Sequence, residues 1–293
     1  MLASALALFD RAALAQTWQM VDDFQYPLGR FSFANGLAKD PAGNLYAAGS
    51  GADSVANHAI VRKSGDNGAT WVTVDDFFVA DNARYQCIAS DTAGNIYAGG
   101  YYSDAAGFGH CFVSRSQDAG LTWQNVDDFL GGGARSMSID GAGNVYVLGS
   151  DSGNVPVMRK GTPDSSSLGI SFSMLPSLPA NLGYANGVYC HSYAGVFLVG
   201  AVTLPLKNGQ IHPDQKWNVW RSQDGGASWQ TVDSYALAKS NPYGYASAIT
   251  ADSSGNLYVG GKSSGSNGDG HWITRKSVNG GNSWITVDDF YPV

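Results

Sequence analysis

Residues 83 to 129 set a pattern that recurs along the chain. ARYQCIASD alternates apolar and polar positions and stops at TAGN. IYAGGYY is continuously apolar and aromatic, SDAAGFG is a small-residue loop, HCFVSRS alternates again, and TWQNVDDF follows a second polar stretch. Short alternating runs, cut about every ten residues by Gly, Asn, Asp and Ser clusters, predict four β-strands joined by tight turns. We label them A to D in chain order. No 3.6-residue periodicity occurs beyond the first sixteen residues.

The same four-strand grammar repeats. Strand B reads GNLYAAG at 43–49, GNIYAGG at 94–100, GNVYVLG at 143–149, AGVFLVG at 194–200 and GNLYVGG at 255–261. An octet precedes strand D: SGDNGATW at 64–71, SQDAGLTW at 116–123, SQDGGASW at 222–229 and SVNGGNSW at 277–284. The aromatic that opens strand D falls at Trp18, Trp71, Trp123, Phe172, Trp229 and Trp284, spaced by 53, 52, 49, 57 and 55 residues. Self-similarity at such a period marks a repeat architecture. Four strands per repeat over five repeats predict an all-β, five-bladed β-propeller with four-stranded antiparallel blades, forming one domain over residues 17–293. There are five A-B-C sets but six D-type strands, so one of 17–24 and 284–290 completes the last blade. The other caps an edge, pairs with a second chain or hangs loose, and an exposed strand edge invites self-association.

Composition sharpens this picture at a few points. All 24 acids are aspartates and glutamate is absent, which suits turns over helices. A net charge of −7 leaves no basic surface for nucleic acid. Cys87, Cys111 and Cys190 form no C-x-x-C pair, which excludes the usual zinc and redox motifs; Cys87 and Cys190 sit in apolar strand patterns as small buried hydrophobes. No run of 18 apolar residues exists to span a membrane as a helix. Residues 1–16 read either as a signal-peptide remnant ending in Ala-Leu-Ala-Gln or as a short amphipathic helix with Leu2, Leu6 and Phe9 on one face. The first reading places the protein outside the cell or in a bacterial periplasm.

Each octet residue has a structural use. Aspartate accepts local backbone N–H groups, serine adds one more bond, and the glycine at Gly68, Gly120, Gly226 and Gly281 tolerates positive φ. The tryptophan wedges between sheets. The pattern S-x-D-x-G-x-x-W resembles the Asp-box, or bacterial neuraminidase repeat; Asn279 replaces the acid in the last copy, and GTPDSSSLGISF at 161–172 keeps only the aromatic. That resemblance implies a propeller of the sialidase-like superfamily, with the boxes on the outer C–D turns, away from the ligand face.

The resemblance further implies that ligands meet the face carrying the D–A and B–C loops. Registered on strand B, Asn35, Gln86, Arg135, Asn186 and Ser247 share one inner-strand position, with Phe33, Arg84, Gly133, Tyr184 and Tyr245 two residues upstream. Sialidases use an arginine triad, a tyrosine nucleophile paired with a glutamate, and an aspartate acid. Arg30, Arg84 and Arg135 imitate the triad and Tyr184 or Tyr245 the tyrosine, but no glutamate exists, and GRFSFANG stands where that family has Arg-Ile-Pro. Hydrolysis by the ordinary route needs two carboxylates flanking the bond. The candidates near this face are Asp53, Asp81, Asp104, Asp214 and Asp269, mostly in glycine-rich loops.

Repeated acids and histidines point to structure instead. The paired aspartates of VDDF recur in nearly every unit and are expected to form charge pairs with Arg62/Lys63, Arg115 or Arg275/Lys276 of strand C. His58, His110 and His271 occupy one equivalent position on separate blades, too far apart for zinc ligation at about 2.1 Å. The unrepeated elements are the loop AVTLPLKNGQIHPDQKW, with Lys207, His212, Asp214 and Trp217, and ALAKSNPYGYA, with Tyr243 and Tyr245. Unrepeated aromatic loops on a rigid scaffold are where binding concentrates. The sequence therefore predicts a non-catalytic propeller that binds a glycan or protein partner through Arg84, Arg135, Tyr184, His212, Asp214, Tyr243 and Tyr245, with no metal or cofactor. The alternative is a divergent glycoside hydrolase or lyase of the same fold.

Overall fold

The structure, a computed structural model, describes residues 20–26, 31–80, 82–206, 214–238, 242–265 and 267–291. The leader 1–16, Trp18, Arg30, Asp81, Lys207 and His212 lie outside the described residues. The described chain forms antiparallel strands and no helix. Unit 1 comprises β1 (Phe31–Lys39), β2 (Leu45–Ala52), β3 (Asn57–Ser64) and β4 (Val72–Phe77) in one four-stranded sheet. A seven-stranded sheet follows: β5 (Ala83–Ser90), β6 (Ile96–Ser103), β7 (Gly109–Ser116), β8 (Gln124–Ile139), β9 (Val145–Asp151), β10 (Pro156–Pro163) and β11 (Ile170–Met174). Its long strand β8 serves two units: β7 pairs with it as far as Leu130, and β9 from Gly131 onward. Units 2 and 3 thus share one continuous strand. Unit 4 is β12 (Leu182–His191), β13 (Gly195–Thr203), β14 (Gln215–Ser222) and β15 (Gln230–Tyr235). Unit 5 is β16 (Gly244–Ala251), β17 (Leu257–Ser264), β18 (Gly270–Ser277) and β19 (Ile285–Phe290).

In units 1 to 4 the second strand is buried over most of its length on both faces, which is why its sequence is largely apolar. The octet closes the turn between third and fourth strands. In unit 1, Ser64 Oγ accepts Gly68 N–H at 2.8 Å, Asp66 accepts Thr70 N–H at 2.8 Å and Thr70 Oγ1 at 2.6 Å, and Trp71 Nε1 donates to Gly68 O at 3.1 Å. Thr70 and Ser64 hold the Asp66 carboxyl down at about 2. Asp118 makes the same bonds to Thr122 and Ser116, and Asp224 to Ser228 and Ser222.

Four hydrophobic clusters hold the units together, straddling units 1 and 2, 2 and 3, 3 and 4, and 4 and 5. Each of the 1/2, 2/3 and 4/5 seams uses a trio from the fourth strand: Val74, Asp75, Phe77; Val126, Asp127, Phe129; Val232, Asp233, Tyr235. At the 2/3 and 4/5 seams the trio's aspartate pairs with an arginine on the third strand of the next unit, Arg159 Nε to Asp127 Oδ2 at 2.6 Å and Arg275 Nε to Asp233 Oδ2 at 2.6 Å, whereas at the 1/2 seam Asp75 accepts the Tyr85 hydroxyl. The same guanidinium stacks on the trio's aromatic, Arg159 on Phe129 at 4.8 Å and Arg275 on Tyr235 at 4.5 Å. This corrects the expected partners. The first VDDF acid reaches across the seam, whereas the second binds the histidine of its own unit: His58 to Asp76 at 2.7 Å, His110 to Asp128 at 2.7 Å and His271 to Asp289 at 2.6 Å. Among the described residues Arg115 meets no carboxylate; it donates to Gln117 and the Leu168 carbonyl.

Of the two terminal D-type segments, 285–290 is the fourth strand of unit 5, while residues 20–26 form no strand and lie against unit 1. Asp22 accepts Arg62 Nε at 2.8 Å and Nη2 at 2.9 Å, and Phe24 lies under that guanidinium at 4.3 Å.

Candidate functional site

Every residue registered at the inner-strand position sits at a β-bulge. The pairing of first and second strands skips Asn35, Gln86, Arg135, Asn186 and Ser247 in turn. A bulge inserts one residue, bends the strand and re-aims the side chains around it. It also presses the preceding backbone onto the neighbouring strand. A side chain at Gly49, Gly100, Gly200 or Gly261 would collide with the carbonyl of Phe33, Arg84, Tyr184 or Tyr245. The last glycine of the strand-B motif is therefore the other half of the bulge.

At the seam between units 4 and 5 this geometry builds a cleft. Tyr184, Asn186, Gln215, Tyr243 and Tyr245 line a cleft of about 310 Å³. Asn186 Nδ2 donates to Ala246 O at 2.7 Å and ties the two bulges together. Gln215 N–H donates to Pro242 O at 2.9 Å, and Ser264 N–H to Tyr243 O at 2.8 Å, fixing the tyrosine loop to β14 and β17. Tyr243 and Tyr245 meet edge to face with centroids 6.3 Å apart. Lys262 Nζ stands 5.7 Å over the Tyr243 ring. Such a surface offers flat apolar faces with polar tips and amides for hydrogen bonds.

Among the described site residues, three of the expected set converge here: Tyr184, Tyr243 and Tyr245. Asp214 is buried immediately before β14, its carbonyl accepting Leu204 N–H at 2.8 Å. Arg84 and Arg135 do not line the cleft. Arg84 stacks on Tyr101 at 4.7 Å, and Arg135 is exposed at the β8 bulge. Gln86 Oε1 beside them is buried without a hydrogen-bond partner. Gln215 was not singled out in the sequence; its one signal is its place at the head of β14, directly after the long loop.

Of the candidate acids, Asp53 and Asp104 are turn residues. Asp53 Oδ1 accepts Val55 and Ala56 N–H groups at 2.7 Å, and Asp104 Oδ1 accepts Ala106 and Phe108 at 2.9 and 2.8 Å. A second hollow of about 320 Å³ lies at the turns between first and second strands, where residues of units 2 to 5 converge. Its carboxylates Asp91, Asp140 and Asp252 each bind the backbone and side chain of the asparagine four residues on. Among the described residues no group of three or more His, Cys and Asp is placed to hold a metal ion. No helix among them is long and apolar enough to cross a membrane.

Antiparallel sheets, three of four strands and one of seven, whose turns between first and second strands meet at one end, form a β-propeller, the fold of the solved structures that this chain matches. An α-L-arabinanase of Penicillium chrysogenum, solved with arabinobiose, matches 91% of this chain and 95% of its own at 15% identity and a TM-score of 0.52. The GH93 α-L-arabinofuranosidase of Fusarium graminearum with arabinobiose matches 89% of this chain and 80% of its own, at 13% identity and a TM-score of 0.53. A Hadza microbial sialidase matches 90% of this chain, which spans 59% of that one, at 15% identity and a TM-score of 0.53. At these identities the likeness is one of fold. No protein-family model and no curated protein sequence matches the chain.

Proposed function

We propose that the chain is a non-catalytic five-bladed propeller that binds a carbohydrate through the tyrosine cleft between units 4 and 5. The observation that carries this reading is the lining itself: three tyrosines and two amides, with no carboxylate among them. Tyrosine faces stack on the apolar faces of sugar rings, and amides serve vicinal hydroxyls. Arg135, at the bulge of unit 3, and Arg84, two residues before the bulge of unit 2, extend the same rim and suit an acidic substituent. His212 belongs to the loop that enters β14 beside Gln215, and Asp214 anchors that loop. The five blades are units 1 to 5, with units 2 and 3 fused through β8. The octets are Asp-boxes in this reading, confined to turns, and the leader's Ala-Leu-Ala-Gln supports export.

The test is an arrayed glycan screen with a parallel cleavage assay. Retention without cleavage, lost in a folded Tyr184→Ala/Tyr245→Ala variant and weakened in Arg135→Ala, is the expected result. Unaltered retention by the folded double variant sinks the assignment of the cleft. Cleavage of a retained glycan instead establishes the divergent hydrolase or lyase, with Asp214 the first acid to replace. A protein ligand on the same cleft would give no array signal and a co-purifying partner lost with the same tyrosines.

A further inference from the structure

The fourth strand of unit 5 presents the seam trio once more, as Val287, Asp288 and Phe290. In unit 2 the valine of this trio is 7% exposed; in unit 5 Val287 is 47% and Phe290 54% exposed, and all of β19 faces solvent. Among the described residues Asp288 has no ion-pair partner, whereas Asp127 and Asp233 each hold an arginine. Trp272 on the adjacent strand is also exposed. Unit 5 therefore ends in a face built like those that elsewhere carry the next unit.

Unit 1 ends in the complementary face. Arg62 stands where Arg159 and Arg275 stand in their units. Within its own unit it donates to Thr73 Oγ1 and the Trp71 carbonyl; on its outer side, among the described residues, the segment 20–26 meets it and supplies the Asp22 and Phe24 of a trio without forming a strand. Phe33 is 59% and Leu37 75% exposed on β1, and an apolar cleft of about 340 Å³ lies between this segment and β1 to β3, with Ile60 and Trp71 in its wall. No hydrophobic cluster among the described residues joins units 5 and 1.

The chemistry at the seams is matched position by position. Where the fourth strand of unit 3 lacks the aspartate, the third strand of unit 4 has the buried Trp220 in place of arginine. Where unit 2 has Ser114 at that place, Tyr85 donates to Asp75 instead. An open trio therefore calls for a face with an arginine, and Arg62 belongs to the one arginine-bearing face that lacks a full neighbouring sheet.

We propose that the outer face of unit 5 docks on the unit 1 face of a second copy of this chain, Asp288 and Phe290 displacing Asp22 and Phe24 from Arg62 of that copy. Among the described residues both faces are open together, and four packed seams hold the units between them, so end-to-end contact with another copy covers both. The contact is heterologous: it closes into a ring of copies or continues as a filament. The segment 20–26 then acts as a competitor that keeps the free copy's Arg62 paired.

The test uses the full chain in sedimentation velocity over a concentration series. Self-association is expected, weakened at least about tenfold in dissociation constant by Asp288→Arg. It is expected to strengthen in Asp22→Ala/Phe24→Ala, which removes the competitor. Mixing Asp288→Arg with Arg62→Asp should restore the association that is weakened in each alone. An Arg62→Cys/Asp288→Cys variant should form disulfides between copies. A strict monomer in the Asp22→Ala/Phe24→Ala variant overturns the proposal, as does association indifferent to Asp288→Arg, or a disulfide formed within one chain. None of these results depends on glycan binding.

Discussion

The hydroxyl of Tyr85 donates to Asp75 Oδ2 at 2.6 Å across the seam between units 1 and 2, where the other ion-paired seams carry an arginine. A neutral donor does not compensate a buried carboxylate as a guanidinium does. Burial pushes the Asp75 carboxyl up to about 6, against the lowering effect of the Tyr85 bond. The folded chain thus holds a proton that the unfolded chain, with an aspartate near 3.9, has released. The stabilising contribution is full below about pH 4 and is lost as pH rises through 6. At about 1.4 kcal/mol per unit, the cost at neutral pH reaches roughly 3 kcal/mol. Asp75→Asn should therefore raise stability over the parent at pH 8 by up to about 3 kcal/mol, with the gain vanishing near pH 4. Urea unfolding at both pH values checks this, and a gain independent of pH would refute it. Measuring the difference between the two proteins cancels the opposite trend from Asp66 and Asp118, whose lowered carboxyls lose stabilising bonds as pH falls toward 2.

The octet tryptophans are equivalent in sequence but not in surroundings. Trp123, Trp229 and Trp284 each pack on the cluster shared with the preceding unit. Trp71 has no such cluster and borders the open cleft on unit 1. Trp123→Ala should cost about 3–5 kcal/mol by cavity formation. Trp71→Ala should cost roughly half as much, because half the contacts are missing at the start. Equal losses in chemical denaturation would mean that the unit 1 face is covered in solution.

Gly200 answers to the bulge at Asn186. A methyl group there would overlap the Tyr184 carbonyl. Gly200→Ala should destabilise by about 2–3 kcal/mol and move Tyr184, so ligand affinity should fall along with the melting temperature. Gly260 has open space where its side chain would stand. Gly260→Ala should leave both properties unchanged, and a comparable loss there would show that the bulge is not the cause.

The repeat was legible because its signals are local. Alternation, the Gly-Asn turn and the octet each fix a strand or a turn within ten residues, and β1 to β19 follow from them. The bulge position was also legible, since aligning strand B put Asn35, Gln86, Arg135, Asn186 and Ser247 in register without any knowledge that they interrupt a ladder. What the sequence hid is relational. Asp22 and Arg62, or Asp233 and Arg275, are 40 and 42 residues apart and belong to different units, so nothing local distinguishes them from the intra-unit pairs expected within one sheet. Gln215 escaped for the same reason: its place in the cleft comes from the backbone bond to Pro242, supplied by a neighbouring unit.

Asn186 and Asn35 make the same bond in different places, and this separates binding from folding. Asn35 Nδ2 donates to Tyr85 O at 2.8 Å between units 1 and 2, as Asn186 does to Ala246 O between units 4 and 5. Each amide is partly buried, and deleting it leaves a carbonyl without that donor, a loss of about 1–2 kcal/mol. Only Asn186 also lines the tyrosine cleft. Asn186→Ala and Asn35→Ala should therefore lower stability by similar amounts in urea unfolding. Glycan retention should fall about tenfold or more in Asn186→Ala alone, since that variant removes a cleft amide and loosens the bulge that aims Tyr184. If Asn35→Ala weakened retention as much, the ligand would sit nearer the mouth shared by the other units, beside Arg84 and Arg135.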